Sequence, residues 1–205
     1  GDTTRGPLSV TVQATGFVPA GQALMRHGAQ PGDHVYVTGT LGDAGLALLQ
    51  REQADSELRQ RLDYPEPRLQ AGLALRGLAT SVIDVSDGLL ADLGHLLERD
   101  RLGASIETDL LPRSVAFENV VRQAGADAES LANDLPLSAG DDYELCFNAQ
   151  AADEAAVMAA FASLDCGCTR IGIVEPQPGI RCIRANSIAY LPAFTGYNHF
   201  DDPDG

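Results

Sequence analysis

The chain has 205 residues, 44% of them hydrophobic and 21% charged, with 14 Lys+Arg against 29 Asp+Glu and a formal charge of −15. That length and apolar fraction suit one or two α/β domains with a buried core, and so acidic a surface argues against nucleic-acid binding and against anionic membranes. Every basic residue counted as Lys+Arg is an Arg, so a Walker A loop, whose Lys reaches the β- and γ-phosphates, is excluded.

In chain order, residues 8–17 alternate apolar and polar positions and predict a strand. Pro19, Gly21 and Gly28 bracket a short helix over 20–27, and Pro31-Gly32 marks a turn. A strand is expected at 34–38, then a helix opening from Gly39 to Gly45 and running to about Gln53, with more helix over 55–63. Pro65 and Pro67 fence off a helix over 67–78, with Leu69, Leu73 and Leu75 turned inward. A short buried strand over 81–85 precedes a helix starting at Asp87, whose Leu89, Leu90, Leu93, Leu96 and Leu97 form one core-facing stripe. Further strands are expected at 104–108, 143–148, 169–174 and 180–184. One or two helices fill 114–133, and another spans 152–164. This alternation predicts an α/β or α+β fold.

The cysteines Cys146, Cys166, Cys168 and Cys182 show no C-x-x-C and no zinc spacing, and read as reduced thiols. His27, His34, His95 and His199 are scattered, and no Ser-His-Asp order stands out, so acyl transfer is not expected. The spacing of Gly39, Gly42 and Gly45 does not match the dinucleotide-binding pattern and predicts a structural strand–helix turn. No apolar run reaches the length of a membrane span, and no signal-peptide pattern opens the chain.

Three clusters can carry chemistry. In Asp84-Val85-Ser86-Asp87-Gly88 a strand ends and a helix begins. Backbone N–H groups at such a junction can face a phosphate, and carboxylates there suit Mg²⁺, a hard ion that takes oxygen ligands. Ser86 or Asp87 would equally serve as a helix N-cap. Asp84 follows Val82-Ile83 in an otherwise apolar strand, where a buried acid needs a partner or a metal. In Ser138-Ala139-Gly140-Asp141-Asp142-Tyr143-Glu144, extended chain sends Asp141 and Asp142 to opposite sides. One can meet a ligand while the other braces the loop; a solvated acidic turn is the alternative. The opening Gly1-Asp2-Thr3-Thr4-Arg5-Gly6 suits a phosphate–metal loop. It has no lead-in element, so upstream sequence is expected.

Five segments in register resemble the thiamine-monophosphate kinase family: GDTTRGPLSVTV with GFVP, PGDHVYVTGTLGDAGLALL, IDVSDGLLADLGHL, SAGDDYELCF and the closing GYNHF. The wider superfamily includes aminoimidazole-ribonucleotide synthetase and selenophosphate synthetase, which use ATP without a Walker A loop. The resemblance implies an α+β C-terminal domain of the aminoimidazole-ribonucleotide-synthetase type, a mixed sheet packed with helices. It implies that residues 1–28 end a β-rich N-terminal ATP/Mg-binding domain, that 29–200 form the C-terminal domain, and that 201–205 are an acidic tail.

By the same resemblance Gly1, Asp2, Arg26 and Ser86 contact ATP, Asp2, Asp84 and Asp87 hold Mg²⁺, and Asp141 and Tyr197 bind thiamine monophosphate. No side chain is expected to act as a chemical catalyst; positioning and several Mg²⁺ ions suffice. Ala139 stands where the family usually has the first of two glycines, and Asp141 where it often has Glu. The family's further magnesium-binding aspartates and a substrate-contacting His lie upstream of Gly1, as does most of its dimer interface. The implied protein is a cytoplasmic, homodimeric enzyme, and this chain by itself is not expected to be active. A related ATP-dependent synthetase and a non-catalytic nucleotide- or cation-binding domain remain alternative readings.

Overall fold

The computed structural model describes residues 10–185 and 188–193. These residues build one seven-stranded sheet from β1 (His34–Thr38), β2 (Ala79–Val85), β3 (Gly103–Glu107), β4 (Glu144–Ala149), β5 (Cys168–Glu175), β6 (Gly179–Arg184) and β7 (Ile188–Tyr190). The strand order is β2-β4-β1-β5-β3-β6-β7. Only β3 and β6 pair in parallel; the other neighbours are antiparallel. The mixed sheet implied by the family resemblance is therefore present.

Residue alternation along the strands decides what each face buries. Val35, Val37, Ile83, Val85, Cys146 and Ile106 share one core cluster, while Tyr36, Val82, Phe147 and Ala149 belong to another. The first face is covered by α4 (Leu89–Glu98), whose Leu89, Leu93, Leu96 and Leu97 are almost fully buried. Each such leucine contributes about 1.5–3 kcal/mol of transfer free energy. The opposite face is covered by α3 (Leu69–Ala74) and α7 (Glu154–Phe161) through Ala71, Val157 and Phe161. There Phe147 stacks between Tyr36 and Phe161, with ring centroids 5.1 and 5.9 Å away. A third cluster joins α1 (Asp43–Gln50), α2 (Ser56–Asp63), α5 (Val115–Gln123) and α6 (Ala128–Ser138) around Leu46, Leu58, Phe117 and Val121.

Several local expectations are corrected. Residues 10–17 form no strand: Val10, Val12 and Phe17 are exposed and pair with nothing in the sheet. Alternation makes a segment competent for a strand, but a ladder needs a partner edge. Residues 20–27 form no helix. A turn closes by Gln22 N–H donating to the Pro19 carbonyl (3.1 Å), and the Met25 carbonyl accepts from Val82 N–H (2.8 Å). The helix expected over 67–78 is only the short α3, and Leu69 and Leu73 point outward, 71% and 49% exposed. They line an open groove of about 690 Å³ with Val18 and Leu24; Ala71 and Leu75 take the buried positions instead. α4 starts at Leu89 rather than Asp87. α6 runs to Ser138 with Pro136 inside it, and β7 went unforeseen.

All four cysteines are free. Among the described residues no helix is long and apolar enough to cross a membrane.

Candidate functional site

Val85 faces Glu144 in the β2–β4 register, so the loop leaving β2 and the loop entering β4 emerge side by side. They are stitched by backbone. Asp141 N–H donates to the Ser86 carbonyl (3.0 Å), and Tyr143 N–H donates to the Val85 carbonyl (2.9 Å). The contact has no room for extra carbon. A Cβ at Gly140 would strike the Ser86 carbonyl oxygen, and one at Gly88 would come within 2.6 Å of the Ser138 carbonyl oxygen. Gly88 also has φ 115°, open to glycine and strained for other residues. The glycines therefore bring Asp84, Ser86, Asp87 and Asp141 to one edge.

Asp84 does not behave as a buried acid. Alternation turns it to the face opposite its neighbours Ile83 and Val85, where its side chain is 48% exposed. Its ion-pair partner is Arg26, 3.6 Å away and 69% exposed, so the structure brings together two residues the sequence singled out separately. Ser86 and Asp87 are half-buried, and Asp141 is exposed. Gly1, Asp2 and Tyr197 lie outside the described residues.

The Ser86 and Asp87 N–H groups do not face outward to a phosphate. Both donate to Asp92 Oδ2, at 2.9 and 3.0 Å. Nor does Ser86 or Asp87 cap the helix: the N-cap is Gly88, with no side-chain bond. Asp92 was missed by the sequence reading. Its signal was an acid in the first turn of a helix, a favoured place beside unpaired N–H groups. Burial, chiefly, pushes the Asp92 carboxyl above its usual range, against the two N–H bonds that pull it down.

The second loop does send its two aspartates apart, but through left-handed backbone at Asp141 (φ 67°) rather than through extended chain. Asp142 is buried and accepts from Gly42 N–H (2.7 Å) and Ala44 N–H (3.3 Å), bracing the start of α1. Glu144, by contrast, is no solvated turn residue. It is fully buried and accepts from Arg61 (2.7 Å), Arg68 (2.6 and 2.7 Å) and the Thr38 hydroxyl (2.6 Å). Gly39 belongs to this network, because a Cβ there would occupy the Glu144 carboxylate's place. The structural reading of the three glycines is thereby explained: Gly39 clears Glu144, Gly42 (φ 88°) packs on Phe117 and Pro136, and Gly45 meets Ala139.

Chemically, this edge offers carboxylates, a hydroxyl and an arginine. Among the described residues no group of three or more His, Cys, Asp or Glu side chains gathers to hold a metal ion. The donors of Asp84 and Asp87 are nevertheless the right kind for Mg²⁺, which is commonly held by one or two carboxylates and takes its remaining ligands from phosphate and water.

A family model for the AIR synthase related protein, C-terminal domain, matches residues 30–184. The chain belongs to this family. The thiamine-monophosphate kinase of Salmonella typhimurium is 42% identical over 212 residues, which cover 99% of this chain and 63% of that protein. The crystal structure of thiamine-monophosphate kinase from Stenotrophomonas maltophilia K279a matches with a TM-score of 0.72 and 41% identity, covering 84% of this chain and 56% of that one. AaThiL complexed with AMPPCP and TMP matches with a TM-score of 0.67 and 30% identity, covering 86% and 54%. The chain thus spans a little under two thirds of the curated relative's length.

Proposed function

We propose that this chain is the C-terminal part of a thiamine-monophosphate kinase, which moves the γ-phosphoryl group of ATP onto the phosphate of thiamine monophosphate. The observation that carries this reading is the backbone stitch between the two acidic loops, Asp141 N–H to the Ser86 carbonyl at 3.0 Å. It sets the acids assigned to metal and to substrate at one edge of a domain of this family.

The transfer is direct and in line. A terminal oxygen of the acceptor phosphate is already ionised near neutral pH, so no strong base is required. Positioning and charge neutralisation carry the rate. Arg26 meets the ATP phosphates, and its long pairing with Asp84 leaves most of its surface open. Ser86 is a second ATP contact, with Gly1 and Asp2 of the opening loop. Asp84, Asp87 and Asp2 would hold Mg²⁺, which when bound neutralises charge between two approaching phosphates. Asp141 accepts from the aminopyrimidine NH₂ of the substrate, and Tyr197 packs against its flat ring.

Residues 1–28 are assigned to the end of an N-terminal ATP- and metal-binding domain, 29–200 to the C-terminal domain, and 201–205 to an acidic tail. Residues 10–27 contain no helix or strand, and the sheet begins at His34, which supports that division. The complete protein is proposed to be a homodimer in the cytoplasm, where ATP and free thiols coexist.

The test is to supply Mg-ATP and thiamine monophosphate to this chain and to a form extended upstream as in its relatives, and to follow ADP and thiamine diphosphate. Both products should appear with the extended form alone. ADP release that ignores thiamine monophosphate, or no thiamine diphosphate from either form, would overturn the proposal.

A further inference from the structure

Tyr143 sits between two buried acids, Asp142 and Glu144, yet is itself 41% exposed. Its φ is 50°, and that of Asp141 is 67°. A bulky aromatic residue in the left-handed region is a genuine outlier, and such strain clusters where a site needs it. The backbone bend alone has a bland explanation: it lets Asp142 reach α1 while Glu144 reaches Arg61 and Arg68. That accounts for the conformation but not for the residue. Gly or Asn would hold the same bend with less strain, and a half-exposed ring gains little from packing where it is.

What the ring does have is an acidic frontage. Its hydroxyl donates to Asp141 Oδ1 at 3.4 Å. Burial first, then the negative charges of Asp141, Asp84 and Asp87, push the phenol above its ordinary range. It therefore stays protonated and remains a donor. An exposed aromatic face beside carboxylates is a recognition surface for a flat organic cation, drawn by the acids and held over the ring.

We infer that Tyr143 is a specificity-determining residue for the acceptor: its ring forms one wall of the acceptor pocket and packs on a flat, cationic heteroaromatic ligand, while its hydroxyl holds Asp141 in place to receive that ligand's amino group. The inference rests on the kinase reading above and adds a residue which that reading did not assign.

Two variants in the upstream-extended protein test it. Tyr143→Phe keeps the ring and loses the hydroxyl, and should raise the KM for thiamine monophosphate roughly threefold, as one long hydrogen bond suggests. Tyr143→Gly removes the ring and relieves the strained φ. It should raise that KM roughly tenfold or more while the thermal midpoint holds. The KM for ATP should stay unchanged in both. An unchanged KM for thiamine monophosphate in Tyr143→Gly overturns the inference while leaving the kinase reading intact. An equal rise in both KM values also overturns it, because the residue would then shape the loop rather than meet the acceptor. Failure of the parent extended protein to form thiamine diphosphate removes both.

Discussion

Asp142 and Glu144 lie two residues apart, and both are buried, yet their environments drive them in opposite directions. Asp142 receives two backbone N–H bonds and sits near the like charge of Asp43. Burial dominates, and its carboxyl is pushed up to about 7. Glu144 suffers the same burial, but the hydrogen bonds of Arg68 and Thr38 and the charges of Arg68 and Arg61 outweigh it, and its carboxyl falls below the usual range. The difference shows that burial alone does not decide the state of an acid; the supply of full positive charge does. On the same edge, the Asp84 side chain is half-exposed and, among the described residues, pairs with Arg26 at 3.6 Å. A carboxylate left so lightly engaged is one available to a ligand.

This contrast can be broken most severely at Glu144. Glu144→Ala would remove the buried carboxylate that Arg68 and Arg61 share, leaving Arg68 with the exposed Glu66 at 3.0 Å and Arg61 with Asp43 at 3.7 Å, and loss of one partner of a buried ion pair costs about 3–5 kcal/mol. Urea denaturation of the chain should show that loss; a change under about 1 kcal/mol would mean the two guanidiniums find water instead. Asp87→Asn probes the opposite kind of acid. In the upstream-extended protein it should lower kcat by roughly two orders of magnitude, as removal of a ligand that steadies phosphate charge implies, and leave the urea midpoint nearly unchanged. Normal turnover in that variant removes Asp87 from the site.

The pH dependence sharpens the comparison further. Asp142 holds its proton more tightly folded than unfolded, so its contribution to stability is present at low pH and declines as pH rises from about 4 towards 7. Glu144 has the reverse sign: its contribution is present above its unfolded value of 4.5 and is lost as pH falls below it. Asp142→Asn should flatten the neutral-side decline and leave the acid limb, as read from urea midpoints across pH. The smallest effect belongs to Asp84→Asn, whose exposed ion pair should shift stability by no more than about 0.5 kcal/mol.

Much of the sheet and its helices was legible because period-two and helical stripes are local signals. The leucines of α4 are the clearest case. The failures share a cause that local pattern cannot carry. Residues 10–17 alternate correctly but have no partner strand among the described residues, and Leu69 and Leu73 border a groove that exists only in three dimensions. The acidic motifs were visible as motifs, and their meeting at one edge was implied by the family resemblance. Asp92 was legible only as an acid in the first turn of a helix; its partners are main-chain groups, which leave no mark in residue identity. Arg61 and Arg68 were hidden because their partner lies 83 and 76 positions away.

One further consequence concerns Ala139, which follows the end of α6. Its methyl group occupies the space that a side chain at Gly45 would need, whereas Gly140 faces the Ser86 carbonyl and can accept nothing. The gap between α1 and the acidic loop therefore has room for a single methyl, and either wall can supply it. Substitution at one wall is permissive only in the background of glycine at the other, so positions 45 and 139 should drift as a linked pair through descent while 140 stands fixed.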